Sequence, residues 1–432
     1  MKRNLLKDSL VFPLLMQGTS ALNFLFQLFL ARKLSKFDYG LINSLFSMYV
    51  LIATPALTLQ NTLSRYTAEL SLKKQHSYIH ALFWKSMKYI SIVSLFLFIL
   101  VILFSPILSD YLHSPQMAYM SLMGFSIALS LILPVAIGIL LGSQKFFQVG
   151  LITLIENIIK TVLGVLAIVL GYHIGGILMG VAISMLFALL CFIYFIKPFQ
   201  LTQQSSNTPF PIVKKDIISY SIKSGFTLFA LSFLTFFDVI AVQHFFGQPG
   251  SQVSGTFAIT SMIAKIILFA TQPFIPVMLP KVTSEYCQNQ KPTYLLTWYL
   301  LLTAGAGMCI TLFYYFFPEF IIRLFTQTEI AQIQNLLILY ATSILFLSML
   351  YVTVNYCLAK DQFFILPLLL LGAAAEILLF TFFHSHIEHI IMISLYVNTS
   401  LMFFSLFFIF LLEKRGIFQQ SETPSLMAVK DL

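Results

Sequence analysis

The chain has 432 residues, of which 59% are hydrophobic and only 9% are charged, and its mean hydropathy is +0.90. This composition excludes a water-soluble globule with a charged surface and predicts an integral membrane protein. The formal net charge of +9 fits some attraction to anionic lipid headgroups and is poor evidence for nucleic-acid binding. The four cysteines form no CxxC pair, so neither a disulfide framework nor a zinc site is indicated.

Twelve segments are long and apolar enough to cross a bilayer, because a spanning helix needs about 20 mainly apolar residues. Segments such as 89–105 are apolar on every face, which is not the alternating pattern of a barrel strand. We therefore predict an all-α polytopic membrane protein. The predicted spans are residues 9–30, 41–63, 89–105, 117–141, 149–170, 174–196, 217–246, 253–279, 294–317, 330–358, 363–383 and 390–412.

The second half of the chain repeats features of the first at an offset of 216 residues. Residues 65–69 (RYTAE) are echoed by residues 281–285 (KVTSE), and Gly40 is echoed by Gly255 at nearly the same offset. The matches include polar and charged positions, which favours a duplication over chance. We predict two six-helix halves that are parallel repeats about an axis along the membrane normal, as in secondary transporters. The predicted divisions are an N-terminal half (1–196), a cytoplasmic linker (197–216), a C-terminal half (217–412) and a short cytoplasmic tail (413–432).

The distribution of lysine and arginine predicts that both termini are cytoplasmic. Most basic residues fall on the side of the N-terminus, and two lie inside spans. The predicted outer side carries only Arg32, Lys33, Lys36 and Arg323.

Reporters fused at Ser205 and in the tail after Glu413 are therefore expected to be cytoplasmic. Alkaline phosphatase and fluorescent-protein fusions measure this, and a periplasmic signal at either position contradicts the predicted orientation.

Ionisable residues inside spans are candidates for function, because an unpaired charge is costly there. Glu156 and Lys160 stand four residues apart on one face of the fifth span, where they form either a coupling-ion or headgroup site or an internal ion pair. Asp238 and Lys265 have no charged neighbour three or four residues away, so they either face a water-filled cavity or pair with each other. Glu376 is also alone and stays neutral if it carries a proton.

Cationic residues also stand at the predicted ends of spans. Arg65 and Lys281 are repeat-related, and they are either surface pairs with Glu69 and Glu285 or a cationic pair at a cytoplasmic mouth, suited to a phosphate. Arg32 belongs to an outer cluster that is either a snorkelling group or a cationic rim.

Prolines occur at matched places in the second and eighth spans. Pro55 in the second span answers Pro273 and Pro276 in the eighth. Such prolines produce either static kinks or bends that flex during transport.

Three motifs resemble those of a known transporter family. Residues 31–41 (ARKLSKFDYGL) resemble the ARxLxxxDYG signature that closes the first span of bacterial polysaccharide transporters. Residues 63–69 (LSRYTAE) and 141–146 (LGSQKF) resemble the family's patterns at the end of the second span and at its LxGxxKF turn. The chain thus resembles the Wzx-type oligosaccharide flippases of the multidrug/oligosaccharidyl-lipid/polysaccharide (MOP) superfamily over essentially its whole length. Residues 34–36 (LSK) depart from the family's usual Leu-Gly-Pro.

The resemblance implies a MATE-like fold in the bacterial inner membrane and export of a lipid-linked oligosaccharide. An undecaprenyl-pyrophosphate carrier is flipped from the inner to the outer leaflet by alternating access, for surface polysaccharide such as O-antigen. The partners that the resemblance implies for the protein are membrane lipids and polysaccharide-assembly proteins, with H⁺ or Na⁺ as candidate coupling ions. Asp238 falls where the family often has an acid in the seventh span. Our candidate headgroup ligands are Lys265, Arg65, Lys281 and Arg32, and our candidate coupling or cavity acids are Asp238, Glu156 and Glu376.

Two other classes of function compete with this interpretation. A cation-coupled multidrug or small-molecule antiporter of the same superfamily needs acidic cavity residues, and the three acids leave that open. A membrane glycosyltransferase, ligase or polymerase is the enzyme alternative, but such chemistry usually needs a sizeable external loop. The densest external polar cluster is better explained as an interfacial loop than as a metal site: His384, His386, Glu388 and His389. No GxxxxGK loop is present, so ATP is not the direct driver and no cofactor is expected.

Overall fold

The computed structural model describes residues 2–72, 76–196, 215–287, 292–326 and 330–414. These residues form sixteen α-helices and no strand. Eleven helical stretches are long and apolar enough to cross a membrane, and the helix pair Lys36–Ala53 and Ala56–Ala68, bent by 40°, supplies a twelfth. The predicted all-α polytopic fold is confirmed. Most of the predicted linker (197–214) and tail (415–432) lies outside the described residues.

Eight helices make up the first half of the chain, and two of them are separated only by a proline break. Thr54 and Pro55 lie in that break, since proline removes a backbone donor and clashes with the preceding turn. The helices are α1 (Lys2–Lys33), α2 (Lys36–Ala53), α3 (Ala56–Leu72), α4 (His76–Leu103), α5 (Ser105–Tyr111), α6 (Met117–Gly142), α7 (Phe146–Val169) and α8 (His173–Ile196).

Eight helices follow in the second half, with a break and a short helix at the corresponding places. Gln272 and Pro273 lie in the break, whereas Pro276 lies inside the next helix. The helices are α9 (Lys215–Phe246), α10 (Val253–Thr271), α11 (Phe274–Cys287), α12 (Thr293–Phe316), α13 (Pro318–Phe325), α14 (Ile330–Ala359), α15 (Ile365–Phe382) and α16 (Ile387–Lys414). The short helices α5 and α13 both follow a phenylalanine and carry a proline in the first turn.

The chain forms two compact units. The first contains residues 1–38 and 52–214, and the second contains residues 39–51 and 215–432. In the first unit α6 packs against α3, α4 and α8, while α7 packs against α1 and α8. In the second unit α14 packs against α10, α11, α12 and α16, while α15 packs against α9 and α16. Most of these neighbours correspond between the two units, with the exception of α10, whose contact with α14 has no counterpart of similar size between α2 and α6.

Residues 39–51 of α2 pack with the second unit, although the predicted N-terminal half contains them. The Tyr39 hydroxyl donates to the Met262 sulfur at 3.3 Å, and the Ser44 hydroxyl donates to the Val239 carbonyl at 3.1 Å. Gly40 lies directly against α10: a Cβ at this position would come within 2.9 Å of the Gly255 amide nitrogen. Two glycines that the repeat pairs in sequence thus meet inside one unit.

Replacing Gly40 with alanine is expected to lower the thermal unfolding temperature, because the backbone of α10 leaves no room for a methyl group. Overpacking of this kind typically costs about 1–3 kcal/mol. Gly305→Ala is the matched control, since no atom lies within 4 Å of a Cβ there and alanine favours the helix. Equal unfolding temperatures for the two purified variants would contradict the close helix contact.

Candidate functional site

In the second unit, an acid–lysine cluster lies inside the spanning helices and consists of Asp238, Lys265, Tyr340 and Glu376. Asp238 on α9 and Lys265 on α10 are only 3% and 5% exposed, and the Lys265 Nζ lies 3.5 Å from Asp238 Oδ1. The Tyr340 hydroxyl on α14 donates to Asp238 Oδ2, and the Val239 amide donates to Oδ1 at 2.7 Å. Several donors therefore hold the Asp238 carboxylate in place.

Lys265 is engaged entirely inside the second unit. Besides Asp238, its ammonium faces the ring of Phe236, with 4.9 Å between Nζ and the ring centroid, a cation–π geometry. Of the two arrangements that the sequence left open for Asp238 and Lys265, the structure contains the ion pair. A buried pair of this kind is costly to break, because removing one partner leaves an uncompensated charge.

Glu376 on α15 completes the cluster but is held quite differently. It is fully buried, and neither carboxyl oxygen has a hydrogen-bond partner among the described residues. Asp238 and Lys265 are its charged neighbours. The two acids of this cluster thus differ in their surroundings: the Asp238 carboxylate has several hydrogen-bond donors, and the Glu376 carboxyl group has none among the described residues.

In the first unit, an amide–lysine cluster joins α1 to α7 and consists of Asn23, Asn157 and Lys160. The Lys160 ammonium donates to the side-chain oxygens of Asn23 and of Asn157, the latter at 2.7 Å. Gln27 lies one turn further along α1 and Thr161 follows Lys160. Each has a buried side-chain oxygen without a hydrogen-bond partner among the described residues.

The internal ion pair between Glu156 and Lys160, one of the two predicted arrangements, is not formed. Within the described residues, both hydrogen bonds of the half-buried Lys160 go to neutral amides and no close ion pair joins it to Glu156. Helix rotation explains this, because α7 turns Lys160 toward α1, where Asn23 lies opposite it. Its hydrogen-bond partners are therefore neutral, although Glu156 on the same helix remains its charged neighbour.

The three other predicted cations are not members of either cluster. Arg65 on α3 is half-buried, Lys281 on α11 is exposed, and Arg32 is exposed at the end of α1. In the described part of the chain, none of them forms a hydrogen bond or ion pair with a cluster residue. Glu285, predicted as a partner of Lys281, instead accepts a hydrogen bond from Tyr294. The side chain of Glu69 lies outside the described residues.

The LGSQKF segment (141–146) forms a tight turn between α6 and α7. Gln144 has a left-handed φ of 60°, and the Lys145 amide donates to the Leu140 carbonyl at 2.9 Å. The Lys145 ammonium donates to the Phe195 carbonyl at 3.0 Å, near the end of α8, where cations favour the helix dipole. Burial lowers the pKa of Lys145. This motif has a structural role in the first unit.

Two groups of cluster residues were missed in the sequence. Asn23 and Asn157 read as ordinary amides within apolar spans, and Tyr340 was one of many tyrosines. A signal existed for α1, because Asn23 and Gln27 stand four residues apart on one helical face, and two amides so placed are unusual for a lipid-exposed helix.

Solved structures of transporters share this fold at low sequence identity. An inward-facing multidrug resistance MATE family transporter of the MOP superfamily matches with a TM-score of 0.71 and 14% identity, covering 94% of this chain and 96% of its own. The lipid II flippase MurJ, in an inward closed conformation, matches with a TM-score of 0.68 and 14% identity over 92% and 87% of the two chains. A MOP superfamily transporter from Pyrococcus furiosus, described as having a binding pocket of reverse polarity, matches with a TM-score of 0.68 and 15% identity over 96% and 95%.

The chain has the MATE-like fold of the MOP superfamily. No family model and no curated protein matches its sequence. The predicted MATE-like fold is confirmed by the solved structures. The neighbours include both a lipid flippase and multidrug transporters, so the fold alone leaves the choice of substrate to the chemistry of the two clusters.

Proposed function

We propose that this protein is a flippase that moves a lipid-linked oligosaccharide from the inner to the outer leaflet of the bacterial inner membrane. The carrier is an undecaprenyl pyrophosphate, the motion is alternating access, and the product enters surface polysaccharide. Two features support this class of substrate: the motifs that resemble polysaccharide transporters, and a fold that is shared with a lipid II flippase. Both termini are cytoplasmic in this proposal, as the basic residues indicate.

The observation that carries the proposal is the environment of Lys160. A lysine inside a spanning helix is expensive and needs a polar or anionic partner. Here the hydrogen-bond partners are two neutral amide oxygens, and the charged neighbour Glu156 forms no close ion pair with the ammonium among the described residues, which leaves the ammonium able to bind an anionic headgroup. A pyrophosphate oxygen would form a charge-assisted hydrogen bond with the ammonium, and the amide nitrogens of Asn23 and Gln27 add neutral donors.

The other predicted cations take secondary roles in this proposal. Arg65 and Lys281 attract the headgroup at the cytoplasmic ends of their helices, and Arg32 does so at the outer end of α1. Lys265 was also predicted to bind the headgroup; in this proposal it instead helps to hold the second unit together through its ion pair with Asp238.

Replacing Lys160 with glutamine is expected to abolish surface polysaccharide in a strain that depends on this protein, because the headgroup loses its only cation in the first cluster. Lys160→Arg should retain part of the activity, since the charge persists although its geometry changes. Polysaccharide is measured on extracts of intact cells, and folded protein by fluorescence-detected size exclusion. Lys88→Gln, at an exposed lysine of α4, is the control. Normal polysaccharide in Lys160→Gln would refute the headgroup site.

A cation-coupled antiporter is the second candidate function, and Glu376 is the observation that favours it. A fully buried carboxyl group without a hydrogen-bond partner resembles a site for a coupling cation. Drug susceptibility separates the two functions. Deletion that raises sensitivity to cationic drugs and leaves surface polysaccharide intact would favour the antiporter.

A further inference from the structure

Asp238 and Glu376, the two acids of the acid–lysine cluster, differ in the hydrogen-bond donors that contact their carboxyl groups. Asp238 receives the Lys265 ammonium, the Tyr340 hydroxyl and a backbone amide. Glu376 receives none of these and is fully buried. Two carboxylates and one ammonium would leave this interior with a net negative charge. The carboxyl group that lacks donors is the one that burial keeps neutral.

Among the residues that the structure describes, Asp238 and Lys265 are the charged neighbours of Glu376. The helix α15 packs against α9 and α16. Along the membrane-embedded part of α9 the charged group is Asp238, which makes a second carboxylate less favourable, and α10 adds Lys265, whose charge is committed to Asp238. The described part of α16 has its charged residues at its ends and presents neutral, buried Ser394 and Asn398 between them.

In the sequence repeat, Glu376 corresponds to Lys160 of the first unit. Asn23 and Asp238 are 215 residues apart, and Lys160 and Glu376 are 216 apart, within the range of offsets that relates the two halves. The helices concerned correspond as well, since α1 packs on α7 and α9 packs on α15. Asn23 and Lys160 of the first unit therefore correspond to two acids, Asp238 and Glu376, in the second unit.

We propose that Glu376 is an exchangeable proton site: it carries a proton in the state described here and gives it up to water during transport, while Asp238 remains a carboxylate. The inference rests on the proposed function, whose coupling ion it names as H⁺. When Glu376 loses its proton, the carboxylate competes with Asp238 for the Lys265 ammonium, which provides a second stable arrangement of the same three groups. A metal cation is disfavoured, because the ammonium and the Tyr340 hydroxyl already occupy the Asp238 oxygens.

Infrared spectroscopy of the purified full-length protein tests this directly. A protonated carboxyl group has a C=O stretching band that carboxylates lack, and the wild type is expected to show one that disappears on raising the pH from about 5 to about 9. The spectra are recorded in a Glu156→Gln background, because Glu156 is a second carboxyl group inside a span, and in that background Glu376→Gln should remove the band. Glu319→Gln, at an exposed acid that pairs with Arg323 at 3.0 Å, should leave it unchanged. Absence of the band from the wild type, or its persistence in Glu376→Gln, would overturn the proposal.

Thermal unfolding gives a second readout. Folding buries Glu376 in its neutral form, so stability from this group is present at low pH and lost as the pH rises. Glutamine imitates the neutral acid, and Glu376→Gln should therefore lose less stability than the wild type as the pH rises above about 4.3, where a glutamate of the unfolded chain ionises. Identical pH profiles would argue against the proton site.

Two further measurements distinguish a proton site from a metal-cation site and from the headgroup site. Exchanging K⁺ for Na⁺ at constant ionic strength should leave the wild-type band unchanged, and a band that Na⁺ removes would assign the site to a metal cation instead. This arm does not depend on how well Glu376→Gln folds. Neither spectrum needs a substrate, and Lys160→Gln should keep the band, so failure of the headgroup site and failure of the proton site are distinguishable.

Discussion

Replacing Lys265 with methionine is expected to reduce the amount of folded protein severely, and adding Asp238→Asn is expected to restore most of it. Methionine keeps the volume of the side chain but leaves the Asp238 carboxylate buried without its ammonium. Breaking a buried pair in this way costs roughly 3–5 kcal/mol, whereas removing both charges is often neutral. The asparagine of the double variant still accepts the Tyr340 hydrogen bond. Fluorescence-detected size exclusion and thermal unfolding of the single and double variants measure the effect.

Lys88→Met is the control, because it removes an exposed lysine from α4 without uncovering a buried acid. The measurement also separates the two roles that Lys265 has been given. If Lys265→Met accumulated normally but surface polysaccharide were lost, the lysine would act in transport, either as a headgroup ligand or as the partner of Glu376, and the purely structural role would be refuted. Failure of the double variant to recover would show that the charges themselves are needed.

The spanning helices were predictable because hydropathy is a local property of the chain. The segment 89–105 needs no partner to be identified, and proline at positions 55 and 273 interrupts a helix through its own missing donor. The repeat was visible for the same reason, since matched polar residues such as Arg65 and Lys281 lie in sequence order.

The partners of the buried charges were not predictable, since they depend on how neighbouring helices are rotated. Lys160 has Glu156 four residues away in sequence, yet its hydrogen bonds go to Asn157 and to Asn23, 137 residues distant. The pairing of Asp238 with Lys265 was one of two open possibilities, and only the packing of α10 and α14 around α9 decides it.

The assignment of residues 39–51 to the second unit shows the same limit on a larger scale. Hydropathy marks α2 as half of a span in the first half of the chain, and nothing local to it reveals a contact with α10. The deciding feature is the absence of a side chain at Gly40, which lets two backbones approach.

Polarity therefore distinguishes the two units more than shape does. In the first unit, Lys160 lies among amide side chains. In the second unit, the cluster contains the acids Asp238 and Glu376 together with Lys265 of α10. A headgroup carrying negative charge suits the first arrangement and an exchangeable proton suits the second. The substitution Asn23→Asp can test this division, because it gives Lys160 a carboxylate partner, as Lys265 has in Asp238.

Asn23→Asp is expected to abolish surface polysaccharide while leaving the protein as stable as the wild type or more so. The change places a carboxylate at hydrogen-bond distance from Lys160, where it neutralises the charge meant for the headgroup. A hydrogen bond to a charged group contributes about 1.5–3 kcal/mol, which exceeds that of the amide it replaces. Loss of transport would therefore accompany retained or increased thermal stability, a combination that a folding defect cannot produce.

Gln17→Glu serves as the matched control, since it adds the same charge to an exposed position of α1, about two turns from Asn23. It should leave polysaccharide near the wild-type amount, because it has no access to the Lys160 ammonium. Restoring activity to Asn23→Asp by lowering the pH would strengthen the interpretation, since protonation of the new carboxyl group frees the lysine again. Full activity of Asn23→Asp at neutral pH would mean that the headgroup does not depend on the charge of Lys160, and the proposed anion site of the first unit would have to be abandoned.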